Sequence, residues 1–131
     1  MESNKKRVLI VDDSRLVVKK LTEILSESQC VIEVLYAYDL DEAIIILQQK
    51  KFDIISLDIN LSDASGIDLL KIIKKDYLGT IVAMLTNQAS HYYKNLCTKL
   101  GADYFLDKSR DFDHFFNIVS SAGQLAQQAT L

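Results

Sequence analysis

The sequence predicts an α/β domain built on a doubly wound parallel sheet of five strands and five helices, and two observations predict it. Five apolar runs, beginning at Val8, Val31, Phe52, Thr80 and Tyr104, alternate with five stretches of helical periodicity. They recur about every 25 residues, the rhythm of strand–helix units in a parallel sheet. The runs are also nearly continuous in Ile, Val and Leu, as in strands covered on both faces. At 131 residues, about half of them apolar, the chain suits a single domain with a substantial core.

Val8-Leu9-Ile10-Val11 is the first strand, and Asp12-Asp13 stand at its end. Ser14 is placed to cap a helix, because its hydroxyl can accept from a free first-turn N–H. Val17, Leu21, Ile24 and Leu25 give that helix its apolar stripe, with Lys19, Lys20 and Glu23 mostly opposite. Val31 to Tyr38 forms a second strand, interrupted by Glu33. Asp39 with Glu42 three residues on resembles a capping box, and Ala43, Ile44 and Leu47 mark the next helix. Lys50-Lys51 suit the negative end of that helix.

The third strand lies in Phe52-Asp53-Ile54-Ile55-Ser56-Leu57-Asp58-Ile59-Asn60-Leu61, where an apolar run ends on the carboxylate of Asp58. Ser65-Gly66 lead into a helix whose Leu69, Leu70 and Ile73 face the sheet. Thr80 to Thr86 is the fourth strand, and either Ser90 or Asn87 caps the helix carrying Tyr93, Leu96, Cys97 and Leu100. Gly101 ends that helix in the left-handed conformation glycine favours. Tyr104-Phe105-Leu106 is a short fifth strand before Asp107-Lys108. Phe112, Phe115, Phe116 and Val119 mark the last helix, expected to fade into Gly123 and a polar tail over 123–131, so that the core spans about 7–120.

The net charge of −3 argues against a nucleic-acid-binding module, whose footprint is a basic face. Cys30 and Cys97 are far apart with no paired spacing, which argues against a disulfide framework or zinc site and suits reduced thiols. The apolar run after Arg7 is too short for a signal-peptide core or a membrane span, so a cytoplasmic protein is expected.

Open α/β sheets bind ligands at the carboxyl ends of their strands. Where strands one and three are neighbours, Asp12, Asp13 and Asp58 converge there. Carboxylates so close repel unless protonated or bound to a cation, and an all-oxygen set with open positions suits Mg²⁺. A lone Asp after a strand is ordinarily a turn former. Here four strand ends carry matching chemistry, since Thr86 and Lys108 close strands four and five with groups that could bind phosphoryl oxygens opposite the metal.

At this point the chain resembles the response-regulator receiver family, the phosphoacceptor half of two-component signalling. The resemblance rests on Val11-Asp12-Asp13-Ser14-Arg15, Leu57-Asp58-Ile59-Asn60-Leu61 with Asp63 and Ser65-Gly66, Leu85-Thr86-Asn87, and Gly101 to Lys108, all in order at the family spacing. It covers about Arg7 to Ser120. It implies a flavodoxin-like sheet in the order 2-1-3-4-5, an order also known from the chemotaxis receiver. It implies that Asp58 accepts phosphate from a histidine kinase or histidine phosphotransfer protein, and that the chain is a signalling domain rather than an enzyme.

Asp13, Asp58 and the backbone carbonyl of Asn60 would bind Mg²⁺, or Mn²⁺ in its place, with Asp12 acting mostly through water. Lys108 and Thr86 would hold phosphoryl oxygens, and Phe105 would be the aromatic switch that turns inward with Thr86. Asn60 and Gln88 would flank the water that removes the phosphoryl group; both are polar and neither is bulky, so decay without a dedicated phosphatase is expected. Output to a downstream protein or output domain would pass through the fourth helix, fifth strand and fifth helix. Tyr92 and Phe116 are candidate contacts there, and no dimer held by charged pairs on the last helix is expected. His91 and His114 read as surface residues.

Two departures stand out. Lys108-Ser109 replaces the family's Lys-Pro, whose peptide is cis, and Ser62 stands in a loop where the family often has Pro. A non-proline cis bond costs about 2.5–4 kcal/mol, so the loop must either hold that strain or be trans. Of the rival readings, an Asp-nucleophile phosphatase needs a second acid where Asn60 sits. An electron carrier of flavodoxin type needs a Ser/Thr/Gly phosphate loop where Asp12-Asp13-Ser14 stand. A phosphorylation-independent protein–protein scaffold of the same fold is the remaining alternative.

Overall fold

The computed structural model describes residues 5–87 and 89–129, and side chains as far as 121. Strands and helices alternate as β1 (Lys6–Val11), α1 (Arg15–Leu25), β2 (Val31–Ala37), α2 (Leu40–Gln49), β3 (Ile54–Leu57), α3 (Gly66–Asp76), β4 (Ile81–Thr86), α4 (His91–Lys99), β5 (Tyr104–Asp107) and α5 (Phe112–Ala129). The strands form one parallel sheet in the order β2-β1-β3-β4-β5. This is the flavodoxin-like arrangement expected.

The continuous apolar runs reflect a sheet that is buried on both faces. Within β1, Leu9 and Val11 join the layer beneath α2, α3 and α4, with Leu69, Leu70, Ile73 and Cys97. Val8 and Ile10 join the opposite layer with Leu21, Leu25, Phe115 and Val119 of α1 and α5. Side chains on both faces of β1 therefore need apolar cover, and alternation is lost. Glu33 interrupts β2 because β2 is an edge strand, where a charge is tolerated. Its carboxylate bridges Lys50 Nζ at 2.9 Å and Arg7 Nε at 2.7 Å, and these bonds hold its carboxyl below the usual range.

The caps fix where the helices begin. Ser14 Oγ accepts from Val17 N–H at 3.2 Å, Asp39 from Glu42 N–H at 2.8 Å, and Ser90 from Tyr93 N–H at 3.3 Å. Ser90, not Asn87, is thus the cap of α4. The Glu42 carboxylate reaches Tyr38 N–H rather than the cap's own, so the capping box is displaced by one residue. In α1 the buried line is Val18, Leu21 and Leu25, with the predicted Val17 only partly buried beside it.

Gly101 (φ +105°) comes just after α4 as expected. The last helix, however, runs past Gly123 to Ala129 instead of fading there. Glycine inside a helix costs only about 1 kcal/mol, and Ala, Leu and Gln on either side are good helix formers. Among the described residues no helix is long and apolar enough to cross a membrane.

Candidate functional site

The strand registers decide which side chains meet. Val11 pairs with Leu57 and Leu57 with Met84, so the next residues of each chain segment leave the sheet side by side at its carboxyl edge. Asp58 N–H donates to the Val11 carbonyl at 3.0 Å, and Lys108 N–H to the Thr86 carbonyl at 3.1 Å. Asp12, Asp58 and Thr86 are buried, whereas Asp13 is exposed. The carboxylate oxygens of Asp12, Asp13 and Asp58 lie within 4.8 Å of one another. Lys108 Nζ sits between two of them, 2.8 Å from Asp12 Oδ2 and 2.8 Å from Asp58 Oδ2. Asp12 Oδ1 accepts from Ser14 N–H at 2.9 Å.

The cluster holds more carboxylate charge than its one buried ammonium offsets. Burial is the main reason that the Asp12 carboxyl is pushed up to about 6. The Lys108 and Ser14 bonds oppose that shift, and the Asp58 charge adds to it. Burial alone would lower the Lys108 ammonium, but its bonds to Asp12 and Asp58 outweigh it, and the pKa is raised. Lys108 is one charge among three carboxylates, so a divalent cation held by oxygen atoms fits the remainder. No other group of three potential ligands is found among the described residues.

This cluster makes stability depend on pH. A carboxyl whose folded pKa lies above its unfolded value of 3.8 binds more protons when folded, so stability falls as pH rises from about 4 to about 6. The full penalty, about 3 kcal/mol, is then present at neutral pH. In metal-free buffer, urea unfolding is expected to give a more stable protein at pH 5 than at pH 7.5. Asp12→Asn should flatten the difference and raise the stability at pH 7.5; an equal pH dependence in that variant contradicts the assignment.

The loop after Asp58 is held by three devices, none of them foreseen from the sequence. Gly66 begins α3 against the backbone of Asp58 itself: a Cβ there would lie 1.8 Å from the Asp58 carbonyl oxygen. Gly66 N–H donates to Ile59 O at 2.6 Å, and Asn60 and Ser65 form an antiparallel bridge. Asp63 accepts from Leu40 N–H at 2.9 Å and Asp41 N–H at 3.3 Å, tying the loop to the start of α2. Its acid is therefore a second cap of that helix and not a member of the cluster. The available sequence signals were a glycine right after a cap serine and an acid in a loop of small residues.

Thr86 is fully buried at the end of β4. Phe105 is partly buried against the core and lines a cleft of about 240 Å³ with Ser90, His91, Lys94, Arg110 and Asp111. Tyr92 is exposed, while Phe116 packs partly against the core. His91 and His114 are surface residues. Gln88 lies outside the described residues. There is no cis peptide among the described residues, so the Lys108–Ser109 bond is trans.

A model of the response regulator receiver domain matches residues 8–120. The chain is similar to the alkaline phosphatase synthesis transcriptional regulatory protein PhoP of Bacillus subtilis (strain 168), with 33% identity over 103 residues, 79% of this chain and 42% of that protein. It spans about half the length, or less, of the curated relatives it matches. Among solved structures, the receiver domain of the Francisella response regulator 1452 superposes with a TM-score of 0.83 at 26% identity, covering 93% of this chain and 99% of that one. The Mn²⁺-bound form of response regulator Rcp1 gives a TM-score of 0.74 at 26% identity, covering 88% and 90%.

Proposed function

The chain belongs to the response regulator receiver family of two-component systems, and from this we propose that it accepts a phosphoryl group on Asp58 from a sensor histidine kinase or histidine phosphotransfer protein. The observation that carries the reading is the Lys108 ammonium, held 2.8 Å from both Asp12 and Asp58 inside a cluster of three carboxylates. A strand-end Asp acting only as a turn former has no need of a buried cation against its reactive oxygen.

In the reaction, an Asp58 carboxylate oxygen attacks phosphorus in line with the donor's P–N bond. That bond breaks, its electron pair leaves on the imidazole, and an acyl phosphate remains on Asp58. Lys108 exchanges a carboxylate for a phosphoryl oxygen, and the Thr86 hydroxyl takes another. Asp13, Asp58 and the Asn60 carbonyl, with Asp12 through water, would hold Mg²⁺ or Mn²⁺, which neutralises phosphoryl oxygens when bound. The Mn²⁺-bound form of the similar Rcp1 supports that choice of ion.

Once formed, the acyl phosphate is both read and lost. Asn60 and Gln88, polar and not bulky, admit attacking water, so the signal decays on its own. Phe105 turns inward with Thr86 and alters the α4–β5–α5 face read by a downstream protein or output domain. Residues 1–131 act as one receiver domain with its core at 7–120, in the cytoplasm, without contacting nucleic acid or membrane itself.

Phosphoramidate with Mg²⁺ tests the acceptor without a kinase. Intact-mass measurement should show the gain of one phosphoryl group in the wild type and none in Asp58→Asn. A wild type that takes up nothing would favour the scaffold reading instead.

A further inference from the structure

Lys108 reaches the site from the point where the chain leaves β5 and turns toward α5. A lysine stem is long and flexible, so its aim depends on how firmly the backbone at its root is held. Three sets of bonds hold that root. Lys108 N–H donates to the Thr86 carbonyl at 3.1 Å. Asp107 N–H donates to Asp111 Oδ2 at 2.8 Å, linking the last β5 residue to the residue before α5. Asp107 Oδ1 accepts twice from Ser109, from its N–H at 2.8 Å and its hydroxyl at 2.7 Å.

The residues on either side of Lys108 are thus clamped to each other across it. Bonds to an ionised acceptor are short and strong, as these are. They also draw the Asp107 carboxyl below the usual carboxylate range, the Ser109 hydroxyl being the first cause. Neither sheet nor helix needs the Ser109 hydroxyl bond, since it joins two side chains within one turn. Ser109 is exposed and does not line the carboxylate cluster.

We propose that Ser109 and Asp107 are positioning residues for Lys108, their side-chain clamp aiming the ammonium at the phosphoryl oxygens. This rests on Asp58 being the phosphoacceptor, and it adds that phosphoryl binding, unlike metal binding, depends on a hydroxyl at position 109. Asp13, Asp58 and Asn60 are carried by the loops after β1 and β3, so loosening the turn after β5 leaves the backbone that holds them in place, and Lys108 keeps its charge near Asp58.

Titration of the full chain with beryllofluoride at saturating Mg²⁺, and separately with Mg²⁺ alone, monitored by amide NMR shifts, separates the two. Ser109→Ala is expected to weaken beryllofluoride binding about tenfold, the worth of one hydrogen bond to a charged group. Its Mg²⁺ affinity should stay within about twofold of wild type. Ser109→Thr, which keeps the hydroxyl, should restore beryllofluoride binding. Asp107→Asn, which keeps the acceptor oxygen without its charge, should fall between the wild type and Ser109→Ala.

Equal beryllofluoride affinity in Ser109→Ala and wild type overturns the inference, as does a parallel loss of Mg²⁺ affinity, which would mark a general loosening of the site. A wild type that does not bind beryllofluoride overturns the phosphoacceptor reading beneath it.

Discussion

Lys108→Met is expected to lower stability by about 3 kcal/mol at pH 7.5 and to abolish stable phosphoryl acceptance. Removing one partner of a buried ion pair typically costs about 3–5 kcal/mol, because the charge left behind has nothing to offset it. Here two carboxylates are left, and all three side chains are less than a tenth exposed. The lower end of the range applies because Asp12, already pushed up to about 6, can relieve the strain by taking a proton. Without Lys108, which lowers it, the Asp12 carboxyl is pushed higher still, so the deficit should shrink as pH falls from 7.5 toward 6 and level off below. Mg²⁺ should stabilise the variant more than it does the wild type, since the cation then meets uncompensated charge. Urea unfolding at pH 7.5 and pH 5, with and without Mg²⁺, measures both effects. A Met variant as stable as wild type at pH 7.5 would mean that the Lys108 ammonium is not what holds the carboxylates together.

Gly66→Ala is expected to damage the site without touching a reacting group. The added methyl would lie 1.8 Å from the Asp58 carbonyl oxygen and 2.8 Å from its carbonyl carbon. Both are backbone atoms, so no side-chain rotation relieves the contact, and either α3 or the end of β3 must move. Ala gains at most about 1 kcal/mol over Gly in a helix, whereas overpacking of this kind costs about 1–3 kcal/mol. A net destabilisation of about 1–2 kcal/mol is expected. The larger effect is on rate: moving a reacting carboxylate by about 1 Å can cost about 100-fold. The initial rate of phosphorylation by phosphoramidate measures it. A Gly66→Ala protein modified at the wild-type rate would show that α3 does not set the position of Asp58.

The two variants bear on different parts of what the sequence made legible. Strands were readable because a doubly covered sheet favours Ile, Val and Leu on both faces of its inner strands, as in Val8 to Val11. The acidic cluster was readable because its residues stand at strand ends, Asp12, Asp58, Thr86 and Lys108 each closing a different strand. Their meeting is fixed once the strand order is known. That order came from resemblance to a family rather than from any periodicity.

The unreadable features depend on contacts between segments far apart in the chain. Asp63 caps a helix that starts 23 residues earlier, and Gly66 is required by the backbone of a residue in a neighbouring element. Each leaves only a faint local signal that does not say what the residue touches. The departure at Ser109 could be seen, but its consequence could not. The sequence shows a missing proline, whereas the clamp of Ser109 on Asp107 depends on a turn whose shape only the three-dimensional structure defines. At Gly123, local propensity pointed to an ending, and the helix formers around it prevailed.

The central claim is that Asp58 is the residue that carries the phosphoryl group. Its most direct test is to map the group that phosphoramidate and Mg²⁺ install, by reducing the acyl phosphate with borohydride and sequencing the peptides by mass spectrometry. Reduction to homoserine at position 58 alone is the result predicted. Label at any other residue, or an unmodified Asp58 in protein that has gained the phosphoryl mass, contradicts it.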